Sequence, residues 1–360
     1  MINQSAITSI KDIENYVYEK RIPYLVNIEL LTGCNLNCVH CYIPKHDEQH
    51  LSYEDIDNIF RQLKKLGTFM VVLTGGEIFV RKDIFDIIER ARFYGFRTIL
   101  FTNTTLLNLE KIERLKELYV YEVSTSIYSM DSRIHDLITT VEGSLDMTLK
   151  NIRLIKNIGI NVEVKTPFMV YNKDCFDDIA NYCDENGYAF NSSTTIFRTT
   201  DGSRTNEEIR VDGNDLEILT EKIDDYRRNS NSNESKRDFD KEDFVCNELR
   251  TTLGIGSNGD VYPCSSFPLK LGNIREKTLA EMWNSVEEKK IQFLKKKDLK
   301  KCVSCQNANF CDICPGLSYM ETTDYLGCSE AAKRVAILRY NCASERKKHY
   351  GEFKRKRKNE

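Results

Sequence analysis

From residue 24 to residue 195 the chain alternates between short apolar runs and longer stretches in which apolar residues recur every three or four positions. The short runs, rich in β-branched and aromatic residues, predict strands at 24–31 (YLVNIELL), 69–74 (FMVVLT), 97–102 (RTILFT), 120–126 (VYEVSTS), 160–168 (INVEVKTPF) and 188–195 (YAFNSSTT). The longer stretches carry the helical period. Over 52–66, Ile56, Ile59, Phe60, Leu63 and Leu66 fall on one face behind Ser52, a residue suited to a helix N-cap, with Asp55 three positions on. Strands that alternate with helices long enough to cross back are the pattern of parallel βαβ units. Six strands with five crossover helices predict an α/β fold, an open or partial barrel over residues 24–199, whose working face is the C-terminal ends of its strands.

Beyond residue 199 the pattern weakens. Residues 200–243 turn polar (DGSRTNEEIR, then RRNSNSNESKRDFDKED) and read as a linker, or as a helix at 213–228 followed by a mobile loop. Residues 244–345 form a second, cysteine-rich unit, 346–360 a basic tail, and 1–23 a short N-terminal segment. With 41% hydrophobic and 30% charged residues, and 17 Gly and 6 Pro in 360 residues, the chain is neither collagen-like, low-complexity nor disordered. Its 52 Lys and Arg against 55 Asp and Glu give a net charge of −3, which supplies no general pull toward nucleic acid or an anionic membrane. No apolar run reaches membrane-spanning length and no signal peptide opens the chain, so a cytoplasmic location without nucleic-acid or membrane partners is expected.

The 13 cysteines, an odd number in a chain without a secretory signal, point to metal rather than to disulfides. Cys34, Cys38 and Cys41 lie in GCNLNCVHCY, a C-x3-C-x2-C run directly after the first predicted strand. Three thiolates do not complete a tetrahedral structural zinc site, and His40, at no regular zinc-finger offset, is expected to point elsewhere. A cubane iron–sulfur cluster held by three cysteines, by contrast, keeps one iron open to a small ligand. Cys246 is followed after twelve residues by Gly259, and after four more by Cys264; then come Cys302-x2-Cys305-x5-Cys311-x2-Cys314, Cys328 and Cys342. That is more cysteine than core packing asks for, and by spacing alone a zinc ribbon is favoured over iron–sulfur. Cys175 and Cys183, eight apart on a predicted helix, are read as core, and the scattered His40, His46, His50, His135 and His349 are given no catalytic role.

With TGGE at 74–77 after the second strand, the three-cysteine loop resembles the signature of the radical S-adenosylmethionine (radical SAM) enzymes. The resemblance implies a [4Fe-4S] cluster on Cys34, Cys38 and Cys41 whose open iron chelates SAM, with Gly75, Gly76 and Glu77 meeting the SAM amino group. Thr102, Asn103, Ser124 and Ser126 resemble positions that hydrogen-bond SAM's carboxylate and ribose, though Asn103 and Ser126 also suit a helix cap or a turn. Lys165 on the fifth strand faces either the ligand or solvent. The C-terminal cysteines resemble the SPASM extension, which implies one or two auxiliary [4Fe-4S] clusters. One would take Cys246, Cys264 and Cys314 with its fourth ligand open; the other would take Cys302, Cys305, Cys311 and Cys328; Cys342 would be spare. The run ends in C-x2-C where C-x3-C is usual, and two later cysteines stand where one is usual.

The activity implied is reductive cleavage of SAM to a 5′-deoxyadenosyl radical that takes hydrogen from an unreactive substrate carbon. Among such proteins the best represented class modifies ribosomally made precursor peptides by cross-linking, oxidation or epimerisation, and that is the substrate expected here. Because only 23 residues precede the first strand, either a separate peptide-recognition protein supplies the leader contact or the substrate is not such a peptide; a reducing electron donor is a further expected partner. Tetrapyrrole (haem-pathway) side-chain modification and sulfatase maturation stay open. A non-catalytic iron–sulfur electron carrier would keep the C-terminal cysteines but has no use for TGGE or the three-cysteine loop.

Overall fold

The structure, a computed structural model, describes residues 9–44, 50–230 and 239–356. His46, the 231–238 part of the expected loop and the last four residues of the basic tail lie outside the described residues. The strands are β1 Leu25–Glu29, β2 Met70–Thr74, β3 Arg97–Phe101, β4 Glu122–Ser126, β5 Asn161–Pro167, β6 Ala189–Ser193, β7 Thr252–Ile255, β8 Asp260–Tyr262 and β9 Gly272–Asn273. They form one open sheet in the order β6-β5-β4-β3-β2-β1-β7-β8-β9. The first seven in that order run parallel, while β8 and β9 are antiparallel.

Thirteen α-helices are described: α1 Ile10–Lys20, α2 Tyr53–Leu66, α3 Ile84–Phe93, α4 Leu109–Glu117, α5 Ser132–Thr139, α6 Ser144–Asn157, α7 Phe176–Asn186, α8 Gly213–Ser230, α9 Leu279–Trp283, α10 Val286–Gln292, α11 Lys300–Val303, α12 Pro315–Thr322 and α13 Glu330–Lys356. Helix α2 forms as its pattern dictates. Ser52 and Asp55 close a capping box, Ile56, Ile59, Phe60 and Leu63 are buried, and Gly67 ends the helix at φ 85°.

Strand register builds two different faces. Ile255, Ile28, Leu73, Leu100, Val123 and Val162 pair in one continuous row across six strands and are buried under the helices. The opposite parity carries polar residues, with Phe101, Ser124 and Glu163 paired in a row across β3, β4 and β5. Sheets of parallel strands usually bury both faces under apolar side chains, so a polar face marks a lumen kept for a ligand.

The parts of the chain expected as separate are interlocked. β7 pairs in parallel with β1, Leu25 against Thr252 through Ile28 against Ile255, so the cysteine-rich segment continues the barrel sheet. Gly259, at φ 85°, makes the turn between β7 and β8; this is why a glycine stands between Cys246 and Cys264. Segment 200–243 contains α8, which buries Leu216, Leu219 and Ile223 in the main core and is held to α13 by Asp224 and Arg339 (2.8 Å). In the N-terminal segment the Tyr18 hydroxyl of α1 donates to Asn247 (3.1 Å), and the Arg250 guanidinium lies over the rings of Tyr18 and Phe244 at 4.5 and 4.2 Å. No helix among the described residues is long and apolar enough to cross a membrane.

Two predictions follow from this packing. Leu253 of β7 is fully buried, so Leu253→Ala is expected to cost about 2–5 kcal/mol. Far-UV circular dichroism and the fluorescence of Trp283, the sole tryptophan, should shift together on urea unfolding; separate shifts would contradict the shared sheet. Glu288 of α10 is also buried, with one hydrogen bond from Gln292 (3.2 Å) and Oε2 without a partner. Burial pushes its carboxyl up from the usual 4.5 to about 8. The neutral form therefore favours the fold: its stabilisation is complete below 4.5 and is lost as pH rises through about 8. Glu288→Gln should remove that fall, on the order of a few kcal/mol in urea midpoints compared at low and high pH.

Candidate active site

The segment from Leu31 to Tyr42 crosses the C-terminal ends of the strands and is gripped from two sides. On one, the Gly76 N–H donates to the Leu31 carbonyl and the Glu77 N–H to the Gly33 carbonyl, both at 2.9 Å. On the other, Val39 and Asn37 donate to the carbonyls of Ile138 (3.0 Å) and Thr139 (3.2 Å) at the end of α5. A Cβ at Gly75 would lie 2.3 Å from the Leu31 oxygen and one at Gly76 2.2 Å from the Gly33 oxygen. The glycines are thus required first for backbone to dock on backbone under the cysteine loop.

Glu77 makes its side-chain hydrogen bonds within the protein. It is wholly buried and turned away from the cavity: Oε1 accepts from Phe79 N (2.9 Å) and Thr102 Oγ1 (2.7 Å), and Oε2 accepts from Asn103 N (2.7 Å). Burial pushes its carboxyl up, and these donors oppose the push. The carboxylate ties the β2 turn to the β3 end. Asn103 is likewise committed, its amide nitrogen donating to Asn35 in the cysteine loop (2.9 Å) and its oxygen accepting from Thr105.

Above this clamp lies a cavity of about 220 Å³. Cys34, Cys38 and Cys41 line one side and Gly75 and Gly76 another; Asn103, Ser124, Ser126 and Lys165 reach it from the strand ends. Burial pushes the Cys34 thiol up to about 11 and the Cys38 thiol up to about 12, and each feels the charge of a neighbouring cysteine. Thiols so placed become stable thiolates when a metal supplies the balancing charge. The Leu36 N–H also points at the Cys34 sulfur (3.4 Å). Three thiols lining one cavity fit a cluster that leaves one iron facing that cavity.

The lumen holds residues that motif reading passed over. Ser124 Oγ donates to Glu163 (2.6 Å), and Lys165 Nζ stands 3.2 Å from the same carboxylate and 3.4 Å from the centroid of the Phe101 ring. Glu122, on the same face of β4, has its carboxyl raised by burial and then by Glu163. Tyr42, beside Cys41, donates to Glu29 (2.6 Å), whose carboxyl burial also raises. The signal was the alternation itself: LVNIE, EVSTS and NVEVKTP place polar residues at every second position. His40 is on the cavity wall too, contrary to the expectation that it points elsewhere, and its ring meets Tyr128 edge-on at 5.0 Å.

The C-terminal thiols fall into two groups. After burial, Cys314 helps raise the thiols of Cys246 and Cys264, while Cys305 and Cys328 help raise those of Cys302 and Cys311. Among the described residues no three or more His, Cys, Asp or Glu side chains close on a single metal ion. Cys342 faces α8, its sulfur 3.8 Å from Glu217, and Cys175 and Cys183 are buried in the main core.

Residues 28–185 match the model of the radical SAM superfamily, and residues 246–307 match SPASM, an iron-sulfur cluster-binding domain. The chain is a radical SAM enzyme with a SPASM domain: it works with SAM, a SAM-binding [4Fe-4S] cluster and auxiliary iron–sulfur. It is 26% identical over 339 residues to an AdoMet-dependent heme synthase of Methanosarcina barkeri, which covers 84% of this chain and 94% of the relative. It is 27% identical over 273 residues to AlbA, an antilisterial bacteriocin subtilosin biosynthesis protein of Bacillus subtilis, with 73% of this chain and 60% of that one aligned. Its fold is similar to that of Streptococcus suis SuiB bound to precursor peptide SuiA, with a TM-score of 0.67 at 19% identity over 91% of this chain and 82% of that one.

The glycine clamp yields a direct test. Gly76→Ala forces a Cβ against the Gly33 carbonyl, so the cysteine loop must shift. After anaerobic reconstitution its iron content is expected to fall as far as that of Cys34→Ala; wild-type iron loading would contradict the clamp.

Proposed function

We propose that Cys34, Cys38 and Cys41 hold the SAM-binding [4Fe-4S] cluster and that the adjoining cavity holds SAM. What carries the reading is that the three thiols share one cavity with Gly75, Gly76 and the polar strand ends. Bound there, the reduced cluster and SAM supply a 5′-deoxyadenosyl radical for hydrogen abstraction from a substrate carbon. This chain's residues position and shield. The Glu77 clamp fixes the loop, while Ser124, Ser126 and Lys165 offer hydroxyls and an ammonium to polar groups of SAM. Cys246, Cys264 and Cys314, and separately Cys302, Cys305, Cys311 and Cys328, are the ligands we assign to auxiliary clusters.

For the substrate we infer a tetrapyrrole side chain of the haem pathway. The support is that AdoMet-dependent heme synthases align with nearly their whole length, 94% for that of Methanosarcina barkeri. A second reading, modification of a precursor peptide with a separate recognition protein, is supported by the chemistry of the lumen. Burial raises the Glu29 and Glu122 carboxyls toward the neutral form and Glu163 is paired with Lys165, a balance that suits an uncharged side chain. The likeness to AlbA agrees with it.

The test is anaerobic incubation with SAM and dithionite. The wild type is expected to form 5′-deoxyadenosine and a variant with Cys34, Cys38 and Cys41 all changed to Ala is expected to form none; cleavage by that variant would refute the assignment. An iron porphyrin with carboxylate side chains should change in mass. An unchanged porphyrin with SAM cleavage intact would overturn the tetrapyrrole reading, and a mass change in a peptide encoded beside the gene would establish the second.

A further inference from the structure

A second cavity, of about 250 Å³, lies between the C-terminal end of β6, helices α8 and α13, and the loop that carries Cys314 into α12. Thr220, Ile223 and Arg227 of α8 border it, spaced by three and four residues and hence on one helix face. Thr220 is 4% exposed, yet its Oγ1 has no hydrogen-bond partner. A buried hydroxyl left unpaired costs about 1–3 kcal/mol, which makes a cavity-facing one a candidate donor for a bound group.

The cations of this cavity differ. Arg339 is neutralised, its Nε and Nη2 on Asp224 (2.8 and 2.9 Å) and its Nη1 on Asp312 (2.7 Å). Arg227 has no carboxylate partner among the described residues; its Nη2 donates to the Ser192 carbonyl (2.7 Å). Among the described residues its other donors meet no partner, on the wall where Ser193, Thr194 and Thr195 bring hydroxyls from the end of β6. Cys314, from the group of Cys246 and Cys264, borders the same cavity.

We propose that this cavity is a carboxylate-binding subsite, in which Arg227 and Thr220 hold an acidic group of the substrate beside Cys314. The inference deepens the reading of the chain as an enzyme acting on a carboxylate-bearing molecule, and rests on it. Lys165 in the lumen is already held by Glu163, so an anchor on Arg227, toward the auxiliary thiols, separates the charged end of the substrate from the carbon presented to SAM.

Propionate is the probe, titrated calorimetrically into the anaerobically reconstituted enzyme while the electron paramagnetic resonance of its reduced clusters is followed. Saturable binding with a shift of an auxiliary signal is expected. Arg227→Gln and Thr220→Val should each weaken it by about tenfold or more, with Arg227→Lys partly restoring it. No binding, or equal binding by both variants, would overturn the subsite. Displacement of propionate by a carboxylate-bearing iron porphyrin identifies a tetrapyrrole as the source of the group, and displacement by a glutamate-containing peptide identifies a peptide; displacement by neither overturns the assignment to substrate. Propionate bound at Arg227 with the porphyrin left unconverted would keep the subsite and reject the tetrapyrrole reading alone.

Discussion

A buried carboxylate holds the active end of this molecule together. Glu77 receives hydrogen bonds from its own turn, from the hydroxyl of Thr102 and from the backbone of Asn103, and so joins the ends of β2 and β3. The same turn donates two backbone hydrogen bonds to the segment entering Cys34. A carboxyl group out of water is tolerable only when its lone pairs are met, and here each oxygen accepts from a backbone N–H and from the Thr102 hydroxyl. The position of the cysteine loop is thereby set by the protein's own hydrogen bonds.

The second constraint is the sheet. Because β7 lies against β1, the turn at Gly259 and the Cys264 that follows it are placed by the same hydrogen-bonded ladder that places the three-cysteine loop. Helix α8 adds a further tie, with its apolar face in the main core and Asp224 on Arg339. The two cysteine regions are thus joined by one hydrogen-bonded sheet rather than by a flexible tether.

Much of the fold could be read from the chain because the strands are short, β-branched and regularly spaced, and because Ser52 and Asp55 announce α2. The thiol groups were legible through cysteine spacing. What stayed hidden depends on register and direction. TLGI at 252–255 is too short to reveal that it joins β1, and α8 carries so many charges that its buried Leu216, Leu219 and Ile223 do not stand out. Glu77 was visible, but only folding shows that its carboxylate turns inward to Thr102. Glu29, Glu122 and Glu163 look like surface acids until strand parity puts them in the lumen.

The most direct test of the account is the electron paramagnetic resonance spectrum of the dithionite-reduced enzyme with and without SAM. If the clamped loop presents a cluster with one open iron to the cavity, SAM must perturb the signal of one cluster while leaving the auxiliary signals in place. Spectra that are identical with and without SAM, at full iron loading, would contradict it.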